Sequence, residues 1–332
     1  MTHGADRKTA VVLAGGVARG AFEAGALEVL ANHGVQIVHV VGTSSGALNA
    51  LMWAAAIRAD RERDAAERLL TLWREEADWM RAFHFTPIDA LDGRGLSDSS
   101  RAFALMRREI PNILTGAVRP VRLNLVVAAI EGVRDELQGM PTTTFEAVIS
   151  FDGSDFDDAT RRERIYQAAA ASAAFPLAFH PVNVDGFGPC YDGSIVNDAP
   201  VKLATVGDAD RVIVIVPYPA MFHCGESSNA LGFITHLADM LTHERLFRDL
   251  REAERINDTI SRLRLLVERN QLSEAQLSAI LHELDVKPLK IISVRPATDL
   301  PGNPFAGFVD RGLRESYIQA GRDAAAAVLS SL

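Results

Sequence analysis

The chain is expected to fold as a three-layer α/β/α protein with a mostly parallel central sheet, and three observations carry that expectation. Its first sixty residues alternate short β-branched runs with helical patterns. Two more β-branched runs, VIVIVPY (212–218) and LKIISV (289–294), return late in the chain. Hydrophobic residues make up 48% of its 332 positions, enough to bury a large core. Strand–helix alternation of this kind builds parallel sheets covered by helices.

TAVVLA (9–14) ends in glycines and reads as a buried strand. AFEAGALEVLANHG (21–34) follows as a helix, with Gly34 as its C-terminal stop. VQIVHVV (35–41) is a second strand and ALNALMWAAAI (47–57) a second helix. Residues 60–82 and 98–110 have the charged, amphipathic pattern of surface helices. RLNLVVAAI (122–130) is another strand, and RRERIYQAAAASAAF (161–175) is helical up to Pro176. From 233 to 268, apolar residues such as Leu250, Ala253, Ile256, Ile260 and Leu263 recur at steps of three and four. An Ala-rich helix near 310–330 closes the chain. No internal repeat or linker divides it, so 1–332 is read as one domain, with 202–332 completing the unit begun by the motifs between 9 and 201.

The net charge of −9, without a long basic run, argues against nucleic acid as a partner. Two cysteines, Cys190 and Cys224, cannot form a disulfide framework, which fits a reducing cytoplasm. The opening MTHGADRKTA lacks the apolar stretch of a signal peptide. Residues 35–57 reach spanning length but carry His39, Thr43, Ser44, Ser45 and Asn49, so they read as strand, turn and helix. A soluble protein is expected, with peripheral contact at a membrane surface left open. The oligomeric state is not legible.

Three motifs carry chemistry. Gly42-Thr43-Ser44-Ser45-Gly46 has the form G-x-S-x-G between a strand and a helix. A serine on so sharp a turn is strained, side chains two residues either way would collide, and the new helix aims its amides at charge developing nearby. LAGGVARGAFEAGAL (13–27) follows the first strand; its Gly15 and Gly16 free backbone N–H groups, and Arg19 adds a positive charge. Such a loop can hold an oxyanion or a phosphate. It fails as a dinucleotide fingerprint because Val17 stands where glycine is required. In YDGSIVNDAP (191–200), Asp192 is set apart from the other Asp-Gly pairs by Asn197 and Pro200 behind it and AAASAAFPLAFHPV (169–182) ahead.

Together these segments resemble those of the patatin-like phospholipases, serine lipid acyl hydrolases, over about residues 9–201. The similarity lies in the order of the motifs, the roughly 150 residues between Ser44 and Asp192, and the looser likeness of ISVRPATDLPGNPFAGF to the tails of bacterial members. The resemblance implies a catalytic dyad of Ser44 as nucleophile and Asp192 as base, with no histidine. It implies an oxyanion loop in which Gly15 and Gly16 match the first two family glycines, Arg19 the basic position and Gly20 the closing glycine. Gly42 and Gly46 frame the nucleophile, and Gly193, Asn197 and Pro200 support the aspartate. Two departures stand out. Val17 replaces the third glycine, costly if the position needs positive φ but harmless if extended, when its N–H still donates. Ser194 replaces Gly or Ala.

An aspartate of ordinary pKa, about 4, is a weak base toward serine, and burial would strengthen it. Esters of lipids are the implied substrates, with no metal or organic cofactor. Phe22, Leu48, Met52, Trp53, Phe175 and Phe179 are candidates for an apolar acyl slot. Two alternatives stay open: a non-catalytic acyl binder, favoured only by Val17, and a Ser-Asp-His triad using His180, His223, His236 or His243.

Overall fold

The computed structural model describes residues 8–329 except 86–94, 177, 206, 208, 222–229, 285, 287 and 288. Eight strands form the main sheet: β1 (Thr9–Leu13), β2 (Ile37–Gly42), β3 (Arg122–Leu137), β4 (Met140–Asp152), β5 (Val182–Val184), β6 (Gly188–Asp192), β7 (Arg211–Ile215) and β8 (Lys290–Val294). Their order is β8-β7-β1-β2-β3-β6-β5, with β4 paired to β3. Strands β8, β7, β1, β2 and β3 run parallel. Strands β4, β5 and β6 are added antiparallel. The helices are α1 (Gly20–Asn32), α2 (Ser45–Ala59), α3 (Glu62–Thr71), α4 (Ser100–Ile113), α5 (Ala159–Ser172), α6 (Ala230–Glu268), α7 (Glu274–Glu283) and α8 (Arg311–Val328).

The period of two along β1 and β7 makes the three layers. Val11 and Leu13, with Ile213 and Ile215, pack on one side against residues of α1, α2, α5 and α8. Ala10 and Val12, with Val212 and Val214, face the other side, toward Val201, Ala204 and Leu250 of α6. Strands buried on both faces read as unbroken apolar runs, which is why TAVVLA and VIVIV were legible. α8 lies against α1 so closely that a Cβ on Gly321 would stand 1.9 Å from the Phe22 carbonyl oxygen.

Two features depart from the expected elements. β3 continues to Leu137 and turns back through Gln138 and Gly139, both at positive φ (54° and 76°), into β4. That two-residue turn has the backbone sign of a type I′ hairpin, which Asn-Gly announces more clearly than Gln-Gly. The region 60–82 is also not one helix: α3 ends at Thr71, a π-helical turn covers Leu72–Glu76, and a single turn follows at Trp79–Ala82. Among the described residues no helix is long and apolar enough to cross a membrane.

Candidate active site

The site forms because loops leaving neighbouring parallel strands emerge at the same sheet edge, beyond their carboxyl ends. β1 leads into the glycine-rich loop and β2 into the serine turn, and the Thr43 amide donates to the Leu13 carbonyl oxygen at 3.1 Å. Ser44 precedes α2 with φ 55° and ψ −130°, a conformation that costs a non-glycine residue strain. The turn admits no bulk after it: a Cβ on Gly46 would lie 2.3 Å from the Leu13 carbonyl oxygen.

Strand β3 brings the aspartate. Its lower part, Arg122–Leu125, pairs with His39–Gly42 of β2. Beyond that point Val127–Ala129 pair antiparallel with Cys190–Asp192 of β6, while the opposite edge is taken by β4. β2 and β6 therefore meet end to end along one edge of β3, and their last residues lead into the serine and the aspartate. The Ser44 hydroxyl donates to Asp192 Oδ2 at 2.7 Å across 148 residues of chain. Both are buried, with relative exposures of 5% and 1%.

Asp192 Oδ1 accepts from the Ser194 amide and the Ser194 hydroxyl, each at 2.8 Å. Burial pushes the Asp192 carboxyl up to about 6, against the lowering influence of its bonds from Ser194 and Ser44. No described histidine bonds to the side chain of Ser44 or Asp192. His180 is half-buried and donates its amide to the Ser97 carbonyl oxygen. His223 and the side chains of His236 and His243 lie outside the described residues.

Val17 adopts φ 54°, the left-handed region, so the costly branch of the expectation for this position holds. The loop keeps its open amides all the same: among the described residues, Gly15, Gly16 and Val17 donate to no acceptor. Val17→Gly should therefore stabilise the fold by about 1 kcal/mol, the relief of roughly 1–2 kcal/mol of strain less the entropy of a glycine. Urea denaturation of the two proteins measures it, and a loss of stability would refute the strain.

Arg19 and Gly20 are turned elsewhere. Arg19 is buried, donates to the Gly302 carbonyl oxygen at 3.0 Å and lies 5.3 Å over the Tyr218 ring. Gly20 opens α1, with its carbonyl accepting from Asn49 Nδ2 at 3.0 Å. The same amide donates to Glu23 at 2.7 Å, while Trp73 Nε1 donates to Asn49 Oδ1 at 3.0 Å. Burial pushes the Glu23 carboxyl well above the usual range, Asn49 draws it down, and the Asp198 charge raises it further. Asn197 donates to Glu146 of β4 at 2.8 Å, and Pro200 leads into the helical turn Val201–Thr205.

Sequence reasoning missed Ser172. At the end of α5 its hydroxyl accepts from the Ser44 amide at 3.0 Å and donates to the Val126 carbonyl oxygen at 2.6 Å. Val126 is the β3 residue at the junction between β2 and β6, so this hydroxyl fills the gap. Two residues on, the Ala174 carbonyl oxygen accepts the Asp192 amide at 3.0 Å. Ser172→Ala strands the buried Ser44 amide and should cost about 1–3 kcal/mol of stability together with part of kcat. Thermal melts and ester turnover test both, and an unaltered protein would contradict it.

A cavity of about 490 Å³ reaches Ser44 and Asp192. Of the candidates for an acyl slot, Leu48, Met52, Phe175 and Phe179 line it. Phe22 and Trp53 do not; they are core residues of α1 and α2, fully covered by their neighbours. Phe83, Phe305 and Phe308 add aromatic wall beyond the residues expected for the slot.

A family model described as "Patatin-like phospholipase" matches residues 11–205. Among solved structures the chain is similar to VipD from Legionella pneumophila, with 14% identity and a TM-score of 0.41 over 98% of this chain and 67% of that one. It is also similar to the full-length ExoU–SpcU complex from the type III secretion system of Pseudomonas aeruginosa, at 13% identity and a TM-score of 0.31, over 83% of this chain and 58% of that one. No curated protein matches the chain.

Proposed function

The chain belongs to the patatin-like phospholipase family, and from that premise we propose that it hydrolyses carboxylic esters of lipids, phospholipid acyl esters among them, through Ser44 and Asp192. The observation that carries this reading is the 2.7 Å bond from the Ser44 hydroxyl to a buried carboxylate, in the wall of a largely apolar cavity and beside open amides. Asp192 takes the proton as Ser44 Oγ attacks the acyl carbonyl. The amides of Gly15, Gly16 and Val17 receive the oxyanion, with Arg19 and Gly20 shaping the loop and the N-terminus of α2 adding its dipole. Asp192 returns the proton to the leaving alcohol, then draws one from a water that releases the acid. Gly42 and Gly46 give the serine its turn, while Gly193, Asn197 and Pro200 hold the aspartate's. The enzyme is proposed to work in the cytoplasm and to meet its lipid at a membrane surface.

Because Asp192 must be ionised to act, kcat/KM should rise with pH through about 6. Ser194→Ala removes a bond that favours the carboxylate, so that midpoint should move to higher pH. A midpoint that stays put would deny Ser194 this influence. Labelling with a fluorophosphonate, followed by mapping of the adduct, tests the function itself. An adduct on Ser44 with turnover of phospholipid vesicles supports it. Absent labelling and turnover, with acyl chains still bound, would mark a non-catalytic binder.

A further inference from the structure

The cavity wall is completed from outside the stretch that matches the family model. Phe305 and Phe308 belong to the segment 302–308, and they close an aromatic cluster with residues of the motif region. The Phe308 ring meets Phe83 edge-on at 5.1 Å, and Phe305 meets Phe175 at 6.1 Å. Phe83 in turn stacks on Phe179 at 4.9 Å.

Two bonds tie this segment to the glycine-rich loop. The Ala18 amide donates to the Pro304 carbonyl oxygen at 3.1 Å, and Arg19 Nη2 donates to the Gly302 carbonyl oxygen at 3.0 Å. From behind, Arg314 Nη1 donates to the Gly307 carbonyl oxygen at 2.5 Å and the Tyr317 hydroxyl to that of Pro301 at 2.6 Å. Arg19 is only 6% exposed, and it lies against Tyr218. A guanidinium so placed acts as a strut: through Nη2 it holds the backbone that carries the aromatic wall.

We propose that the segment 302–308 selects the acyl chain through Phe305 and Phe308, and that Arg19 is its positioning residue. The inference rests on the reading of the cavity as an acyl slot. The ligand class is the hydrocarbon tail of a fatty acyl ester, whose methylenes gain from burial against aromatic faces. A volume of about 490 Å³ is of the size that holds a small organic ligand. Arg19 then acts on the length and shape of chain accepted, with its charge directed away from the cavity.

The test compares wild type, Arg19→Lys, Phe308→Ala and the double variant on p-nitrophenyl butyrate and p-nitrophenyl laurate. Lysine keeps the charge but cannot reproduce the guanidinium fork. Arg19→Lys and Phe308→Ala should each change the laurate-to-butyrate ratio of kcat/KM about tenfold, the scale on which apolar pockets discriminate. The double variant should change it no further, because both act through one wall. An equal loss on both esters in Arg19→Lys, or an unchanged ratio in Phe308→Ala, overturns the proposal. Should Phe308→Ala fail to fold, Phe305→Leu and Phe308→Leu replace it under the same criterion.

Binding of a dansylated C11 fatty acid and its displacement by free fatty acids of graded length separates this proposal from the catalytic one. A wild type that binds chains without hydrolysing esters, and whose length preference shifts in the variants, refutes the proposed function and supports the wall. A wild type that hydrolyses, with variants of unaltered preference in both assays, does the reverse. Neither binding nor hydrolysis by wild type refutes both.

Discussion

Asp192→Asn should abolish turnover and yet leave the protein more stable at neutral pH. The loss of the general base is expected to lower kcat by about 10³-fold. The gain in stability follows from linkage. Burial lifts the carboxyl to about 6 in the folded protein, from an unfolded value of about 3.9. Below about pH 4 both states hold the proton and there is no penalty. Between about 4 and 6 the unfolded chain releases it while the folded one keeps it, so stability falls as pH rises, and above 6 the whole penalty is present. Two units at about 1.4 kcal/mol each amount to about 3 kcal/mol. Asparagine carries no charge and escapes this term, while its carbonyl can still accept from Ser194. Denaturant unfolding of both proteins at pH 4 and pH 8 isolates the effect, because other titrating groups cancel in the difference. A variant advantage that does not grow with pH would show that Asp192 is not a desolvated carboxyl, and wild-type turnover would show that it is not the base.

Ser44→Ala should remove hydrolysis altogether, at least about 10⁴-fold in kcat, since no acyl-enzyme can form. Fluorophosphonate labelling should vanish with it. The backbone adds a second outcome. At φ 55° alanine stays as strained as serine, whereas glycine does not. Ser44→Gly should be equally inactive but more stable than Ser44→Ala by about 1 kcal/mol. Residual turnover in both variants would place the nucleophile elsewhere. Equal stabilities would mean that the turn holds no strain.

Much of the fold was legible because its elements repeat at the period of their own secondary structure. β1, β2 and β7 are buried on both faces and read as apolar runs, and the long helix Ala230–Glu268 carries apolar steps of three and four. α7 was passed over although Ser273 and Gln276 form a capping box, a signal the sequence contained. Two of the antiparallel strands were hidden for a physical reason. β5 has three residues and β6 five, both too short for periodicity, and what fixes them is pairing, β6 with β3 and β5 with β6. At the site, Ser44 and Asp192 stood out through motifs, but Ser172 sits in an alanine-rich helix end where a serine suggests nothing. Its task comes from the gap at Val126, a property of strand arrangement alone. The aromatic wall was illegible likewise, because Phe305 comes 130 residues after Phe175 and Phe308 225 residues after Phe83, and these rings meet only through folding.

The family-matched stretch ends at Thr205, yet β1 has β7 as one of its two neighbours, and β7 in turn has β8. A chain cut after Thr205 would present β1 as a naked hydrophobic border, its row of backbone donors and acceptors open to the next molecule, and would strip α8 from the flank of α1. Such a fragment is expected to aggregate, however complete its catalytic motifs. The hydrolytic machinery is thus one thing to recognise and another to fold, and the last third of the polypeptide supplies the difference.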